Sequence, residues 1–494
     1  MMKKKSCVLA CDIGASGGKA IVGSFDGENA TFETVHRFPN KSIIVRNSLY
    51  WDILRIYDEV KFGIIKAQQA YGCSVISMGI DTWANDFVLL DKQDTMLENP
   101  HSYRDGRTEG MVERAFEYFE PDFMYQRTGQ QFARFSTLYH LLAMAEAKSP
   151  LFEIARDFLF VPDYLCYLLG AEKYNEYTLS TVSNLFNINT NQWDEDIIST
   201  LKIPRSIFQS IIYPGQKTGD LSADVCRELK ISPMTIRAVG GHDTASAVLA
   251  APADNDEEFL FISSGTWSLV GAELRKPCLD PLSMNNKFGN EGGVGSRTRF
   301  IRNVMGLWIL QECLRIWQIE GKVYDFPILL NMADNAAPCN SLIDPDDERL
   351  FEPTDMPRMI RDICAETGQP VPEDDAQLVR VILESLANKY RFVVEKIQNI
   401  AGKDFPYIHI IGGGCKNTLL CQFTANCTKK TVIAGPSEAT AIGNALAQWL
   451  GMGEIEDIKQ ARQISAKASD IRIYQPLNTD TWEEKYEHFK KLLL

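Results

Sequence analysis

The sequence predicts an α/β protein of two related domains, on three observations. The chain has 494 residues, about three times a usual domain length. Its first hundred residues alternate β-type runs and Gly-rich turns with one stretch of helical periodicity. Near residue 258 a strand, a Ser-Gly turn and a returning strand open a second series of the same kind.

Taken in order, Cys7 to Asp12 reads as a buried strand, Lys19 to Phe25 as a second and Thr31 to Phe38 as a third. They are joined by Gly14-Ala15-Ser16-Gly17-Gly18 and by Asp26-Gly27, residues that favour tight turns. Between Trp51 and Tyr71, Ile53, Ile56, Val60, Ile64 and Ile65 recur at helical spacing, and Ser74 to Ile80 is the next strand. Three antiparallel strands, a crossover helix and a further strand make a mixed sheet. In the second series Glu258 to Ser263 and Trp267 to Glu273 are strands around Ser264-Gly265-Thr266. A long helix follows over about Ala376 to Ile400, then the strand Tyr407 to Ile411, which ends in Gly412-Gly413-Gly414, and a helix over about Glu438 to Leu450. The series meet near residue 246, so the expected domains are 1–246 and 247–494. Residues 320–375 are rich in Pro and Asp and contain Asp344-Pro345-Asp346-Asp347-Glu348; they are expected as a solvated surface insertion.

Composition excludes several classes. Hydrophobic residues at 45% and charged residues at 23% are ordinary globular values and exclude global disorder. With 51 basic and 65 acidic residues the net charge is −14, so neither nucleic acid nor an anionic membrane is an expected partner. The twelve cysteines contain no Cys-x-x-Cys pair and the six histidines no i, i+4 pair, which excludes zinc ribbons and helical metal sites. Lys3 to Lys5 precede Val8-Leu9-Ala10-Cys11 in the manner of a lipoprotein leader, but five residues between the last lysine and Cys11 are too few for the apolar stretch of about 7 to 15 that a signal peptide needs. No apolar run is long enough to span a bilayer. A cytoplasmic protein with reduced thiols is expected.

Several segments carry candidate chemistry. Asp12 to Lys19 lies between two strands, unlike a P-loop or a dinucleotide fingerprint, both of which open helices. Its small residues let backbone N–H groups approach a phosphate, and Lys19 adds a cation; an ordinary Gly hairpin is the competing reading. A carboxylate beside a phosphate turn is unfavourable unless a cation lies between them, and a Mg²⁺ near Asp12 meets that need. Ser263-Ser264-Gly265-Thr266 is a second turn of this type. Ile411 to Asn417 and Ala434 to Ala441 end strands of the same sheet, where α/β ligand sites gather. Gly240-Gly241-His242-Asp243-Thr244 stands where the two series meet, and its Asp243 is either a helix cap or a general base for phosphoryl transfer. Gly79 to Phe87, with Tyr103-Arg104-Asp105, sets aromatic rings beside polar groups, as a polyol requires, or as a core tryptophan with surface polars would also do.

These motifs together resemble the FGGY family of sugar kinases, over nearly the whole chain. The matching segments also include Tyr125 to Gly129, Ser136 to Tyr139, Val161 to Tyr164, His242 to Val248, Ser263 to Leu269 and Asn303 to Gln311. The resemblance implies two actin-like, ribonuclease-H-like domains closing an interdomain catalytic cleft on ATP, Mg²⁺ and a ketose. It implies ATP contacts at Ala15, Ser16, Gly17, Gly18, Lys19, Thr266, Gln311, Gly413 and Gly414, and Asp12 beside the metal. Sugar contacts are implied at Ala84, His242, Asp243, Thr244 and Asn303, with Asp243 the base. The implied acceptor is the C1 hydroxyl of L-rhamnulose, with L-fuculose or xylulose as alternatives and a sugar-independent actin-like ATPase as a rival of another class. Ala84 and Asn85 stand where the matching pattern has Gly and Val, and Lys19 where it often has Arg.

Overall fold

The computed structural model describes residues 6–253, 257–337, 339–351 and 353–493. The first sheet contains β1 (Ser6–Ile13), β2 (Gly17–Phe25), β3 (Ala30–Pro39), β4 (Val75–Thr82), β5 (Lys217–Asp220) and β6 (Thr235–Arg237), in the order β5-β6-β4-β1-β2-β3. As expected, β1 to β3 are antiparallel neighbours, and the helix α1 (Ile53–Tyr71) crosses over to β4, which lies parallel to β1. Ile53, Ile56, Val60, Ile64 and Ala67 form the buried stripe of α1 and pack with Leu9, Val22 and Met78 of the sheet. Asp52 caps the helix by accepting a bond from the N–H of Arg55.

Four further helices matter to the site: α2 (Thr137–Glu146), α3 (Val161–Leu169), α4 (Tyr177–Val182) and α5 (Asp243–Leu249). The second sheet is formed by β7 (Phe259–Ser264), β8 (Trp267–Leu274), β9 (Gly289–Gly292), β10 (Thr298–Met305), β11 (Tyr407–Ile411), β12 (Thr431–Ala434) and β13 (Arg472–Tyr474). Their order is β9-β10-β8-β7-β11-β12-β13, with β7, β11 and β12 parallel. Its helices are α6 (Trp308–Ile319), α7 (Phe326–Asn335), α8 (Met356–Glu366), α9 (Asp375–Ala401) and α10 (Thr418–Thr428), followed by α11 (Ala439–Met452) and α12 (Ile458–Lys467).

The chain packs as two compact units that are not consecutive stretches. One comprises residues up to Glu257 with Glu273–Phe300 and Glu438–Ser469; the other comprises Glu258–Ala272, Ile301–Ser437 and Asp470–Leu494. Packing therefore groups β9 and α11 with the first unit, although they lie beyond residue 246 in the chain.

The stretch 320–375 departs from expectation. Instead of a solvated insertion it carries α7 and α8, each with Pro in its first turn and an Asp cap, Asp325 and Asp355. Pro and Asp favour such helix starts as much as they favour loops. The acidic run is held as well: the ammonium of Lys389, buried on α9, lies 2.7 Å from Asp344 and 2.9 Å from Asp346. Leu342, Ile343 and Leu350 are buried around it. Among the described residues no helix is long and apolar enough to cross a membrane, and the described cysteines are free thiols.

Candidate active site

In the first unit, parallel pairing sets Asp12 on β1 directly beside Asp81 on β4. Thr82 in turn bridges to His242, and its N–H donates to Gly241 O at 2.9 Å. Asp12, Asp81 and Asp243 therefore come from the carboxyl ends of three adjacent chain segments, where open α/β sheets place their ligands. Asp12 and Asp81 are buried, and burial pushes both carboxyls above the usual carboxylate range. Asp12 raises Asp81 further, Asp243 adds to both, and the Lys19 ammonium opposes the shift. Asp81 Oδ2 accepts from Asn444 Nδ2 at 2.6 Å, whereas its Oδ1 has no hydrogen-bond partner among the described residues.

Lys19 lies 3.2 Å from Asp12 and also pairs with Glu438, which Arg37 approaches at 3.2 Å. Burial alone would lower the Lys19 pKa, but the two carboxylates hold it above the ordinary lysine value. Ser16, Gly17, Gly18, Lys19 and Arg37 line a cavity of about 380 Å³ at this turn, together with Phe38 and Pro39. The turn closes through Gly14 N–H to Gly17 O at 2.9 Å, and Asn40 Nδ2 donates to Gly14 O at 3.0 Å. The N–H groups of Ala15 and Ser16 donate to no other group among the described residues. A Cβ on Gly18 would come within 2.2 Å of the Phe38 ring, so a side chain there would force that ring to move. The cavity thus combines two cations with free backbone donors, which suits an anionic oxygen cluster. A larger cavity of about 790 Å³ in the same unit, between Gly215 and Gly451, contains none of the residues singled out from the sequence.

Asp243 opens α5, but it is not the helix cap: that position is His242, whose side chain makes no capping bond. Asp243 Oδ1 accepts from Thr244 N at 2.6 Å and from Thr244 Oγ1 at 3.1 Å, and the partners found all face that one oxygen. The start of α5 is fixed by backbone contact with α11, because a Cβ on Gly443 would lie 1.7 Å from Ser246 O. Behind the turn sits Glu176, the cap of α4. Its pKa is pushed up to about 7 by burial, against hydrogen bonds from Thr178, Leu179 and Gly241.

Ala84 is buried in an apolar cluster with Phe87, Leu138 and Leu179. Its neighbour Asp86 accepts from the indoles of Trp51 and Trp83, both at 2.6 Å. The polar groups of this motif are thus partly spent inside the fold, and burial pushes the Asp86 pKa up to about 7 despite those bonds.

In the second unit the ends of β7, β11 and β12 lie side by side. Leu307 N–H donates to Gly265 O at 3.0 Å, and Gly306 and Trp308 N–H both donate to Thr266 O at 3.1 Å, so the second turn is tied to the start of α6. Thr266 Oγ1 donates to Gln311 Oε1 at 3.3 Å. The two glycines differ: a Cβ on Gly414 would strike Ser264 Oγ at 2.0 Å, while Gly413 is exposed with open space around it. Asn303 is half-buried on β10. The sequence reading gave no role to Asp81, Glu438, Glu291 or Arg299; Asp81 and Glu438 lie within the singled-out segments Gly79 to Phe87 and Ala434 to Ala441, whereas Glu291 and Arg299 left no local signal.

Residues 7–250 match the N-terminal domain of the FGGY family of carbohydrate kinases and residues 260–452 its C-terminal domain. The chain is 42% identical over 470 residues to a protein of Oceanobacillus iheyensis named rhamnulokinase, covering 95% of this chain and 98% of the relative. It is 38% identical over 486 residues to a rhamnulokinase of Bacteroides thetaiotaomicron, covering 98% and 99%. Its fold is similar to that of a xylulose kinase from Lactobacillus acidophilus, with a TM-score of 0.80 at 15% identity over 99% and 97% of the chains. It is also similar to that of a glycerol kinase from Plasmodium falciparum, with a TM-score of 0.79 at 14% identity over 99% and 97%. Two domain matches and two full-length relatives thus place this chain in the FGGY family of carbohydrate kinases, with the two-domain actin-like fold of its structural neighbours.

Proposed function

We propose that the chain transfers the γ-phosphoryl group of ATP to the C1 hydroxyl of L-rhamnulose. The observation that carries this reading is the full-length likeness to proteins named rhamnulokinase. The geometry around Asp243 supports it: a carboxylate at the strand ends that takes two hydrogen bonds on one oxygen, with none found to the other among the described residues, suits a general base. The sugar oxygen attacks the γ-phosphorus in line with the departing ADP oxygen, and Asp243 takes the hydroxyl proton. Lys19 and the N–H groups of Ala15 to Gly18 meet the charge on the phosphates. In this reading residues 1–246 supply the first phosphate turn and most sugar contacts, at Ala84 and at His242 to Thr244, with Asn303 a further one. Residues 247–494 hold the nucleotide through Thr266, Gln311, Gly413 and Gly414. The reaction is assigned to the cytoplasm, where ATP is made available to metabolic kinases.

Mg²⁺ takes one or two carboxylates plus water and phosphate oxygens rather than an all-protein cage. Among the described residues no group of three or more His, Cys, Asp or Glu is gathered as a cage. The buried Asp12 and the unpartnered Oδ1 of Asp81 fit a phosphate-borne ion. The ion supplies charge neutralisation at the β- and γ-phosphates when bound.

The test is ADP release measured with a panel of L-rhamnulose, L-fuculose, xylulose and ribulose. L-rhamnulose is expected to give the highest kcat/KM; a higher value for another ketose would reassign the sugar, and ADP release independent of any sugar would favour an ATPase. Repeating the panel with Ala84→Gly separates two roles for that methyl. A changed ketose ratio marks a sugar contact, and a lower melting temperature with the same ratio marks core packing alone.

A further inference from the structure

Against the candidate base stands a buried ion pair with no part in the reaction as described so far. Glu291 on β9 and Arg299 on β10 are 5% and 0% exposed. Arg299 Nη1 lies 3.0 Å from Glu291 Oε2, and its Nε donates to Gly292 O at 3.0 Å. Arg299 Nη2 lies 3.1 Å from His242 Nδ1, and Glu291 Oε2 lies 3.3 Å from the same nitrogen. On the far side of the ring, His242 Nε2 is 3.4 Å from Asp243 Oδ1.

The chemistry of the donors orients this chain of contacts. A guanidinium only donates, so a ring nitrogen bonded to it must accept. That places the proton of neutral His242 on Nε2, facing Asp243 Oδ1. The opposite tautomer would set an N–H against the guanidinium and a lone pair toward Asp243. Glu291 Oε2, 3.3 Å from Nδ1, would favour that tautomer, but among the described residues it accepts no hydrogen bond, whereas the guanidinium contact is one. Glu291 balances the charge that Arg299 brings into the interior. Oδ1 of Asp243 then accepts from the N–H and hydroxyl of Thr244, with the His242 Nε2–H directed at it from 3.4 Å.

We propose that Glu291 and Arg299 are positioning residues that lock His242 as its Nε2–H tautomer, so that Asp243 receives the proton of the sugar hydroxyl on Oδ2. The inference rests on the reading of Asp243 as base. The sugar O–H bond breaks, its proton goes to Oδ2, and its electron pair forms the new O–P bond while the bond from phosphorus to ADP breaks. The proton leaves Asp243 for water after product release. A wrong tautomer leaves the geometry in place and removes the function, as imidazoles held by a carboxylate in other enzymes do when that partner is neutralised.

The test uses the full-length protein labelled with ¹⁵N-histidine, whose six histidines are few enough to assign. In the wild type the His242 nitrogens are expected to show the Nε2–H pattern. The double variant Glu291→Leu/Arg299→Met removes both charges together, which spares the fold an unpaired buried ion. Its kcat is expected to fall roughly 10- to 100-fold, the loss typical of a charged hydrogen bond, with the KM for ATP within about twofold and the His242 pattern changed. Arg299→Lys keeps a donor and is expected to recover part of the turnover. A folded double variant with an unchanged His242 pattern and kcat within about twofold overturns the proposal. So does a wild-type spectrum showing Nδ1–H or a doubly protonated ring, which decides the matter even where the variant does not fold. Asp243→Asn run alongside distinguishes the two failures, because an active Asp243→Asn removes the base itself and an inactive one leaves only the positioning role in question.

Discussion

At the first glycine turn Asp12, Lys19, Arg37 and Glu438 crowd the backbone with ionised groups, whereas at the second the neighbours are Ser264, Thr266, Gln311 and exposed glycine backbone. Both turns join antiparallel strands and both tie back through backbone hydrogen bonds. They therefore share a way of presenting backbone donors and differ in charge. The same division runs through the units around them. Among the described residues all five carboxyls pushed above their ordinary range, Asp12, Asp81, Asp86, Asp163 and Glu176, belong to the first unit. Buried, strained ionisation is the usual mark of a reacting centre. Neutral hydrogen bonding at the second turn suits recognition of a nucleotide, which needs complementarity rather than proton transfer.

This contrast can be broken experimentally, beginning with the largest effect. Asp243→Asn keeps the shape of the side chain but cannot take a proton; kcat is expected to fall about 10²- to 10⁴-fold in a coupled ADP assay with both substrates still bound. A loss under about tenfold would leave Asp243 a structural residue. Lys19→Met removes the cation between Asp12 and Glu438 and should lower kcat/KM for ATP by roughly 10- to 100-fold, as expected for a charge-assisted bond. Thr266→Val, the matched change at the second turn, deletes one neutral hydrogen bond and should cost about 2- to 10-fold in the same parameter. Equal losses at the two turns would erase the distinction between them.

The smallest effect concerns pH. Asp86 is neutral in the fold at pH values where an unfolded aspartate is charged, because its pKa is pushed up to about 7 by burial. A raised carboxyl pKa contributes stability that is fully present below about pH 4 and is lost as pH rises through about 7. The melting temperature of the wild type, relative to that of Asp86→Asn, should therefore fall between pH 5 and pH 8 by a few degrees. A constant difference across that range would mean that Asp86 stays ionised beneath the two indoles.

Much of this organisation is local enough to be written in the sequence. The strand, turn and helix patterns of the first hundred residues, the second Ser-Gly turn, the glycines before His242 and the family itself depend on residues close together in the chain, where periodicity and turn chemistry act directly. Composition misled at 320–375, because Pro and Asp start helices as readily as they fill loops. Tertiary structure alone decided the partners. Register between parallel strands put Asp81 beside Asp12, and folding brought Glu438 to Lys19 across 419 residues and Arg299 to His242 across 57. Gly443 has meaning only because Ser246 O fills the space of its missing side chain. No propensity encodes such meetings: hydrogen bonds and buried charges are satisfied by whatever the fold places within about 3 Å, and that distance is set by packing rather than by position in the chain.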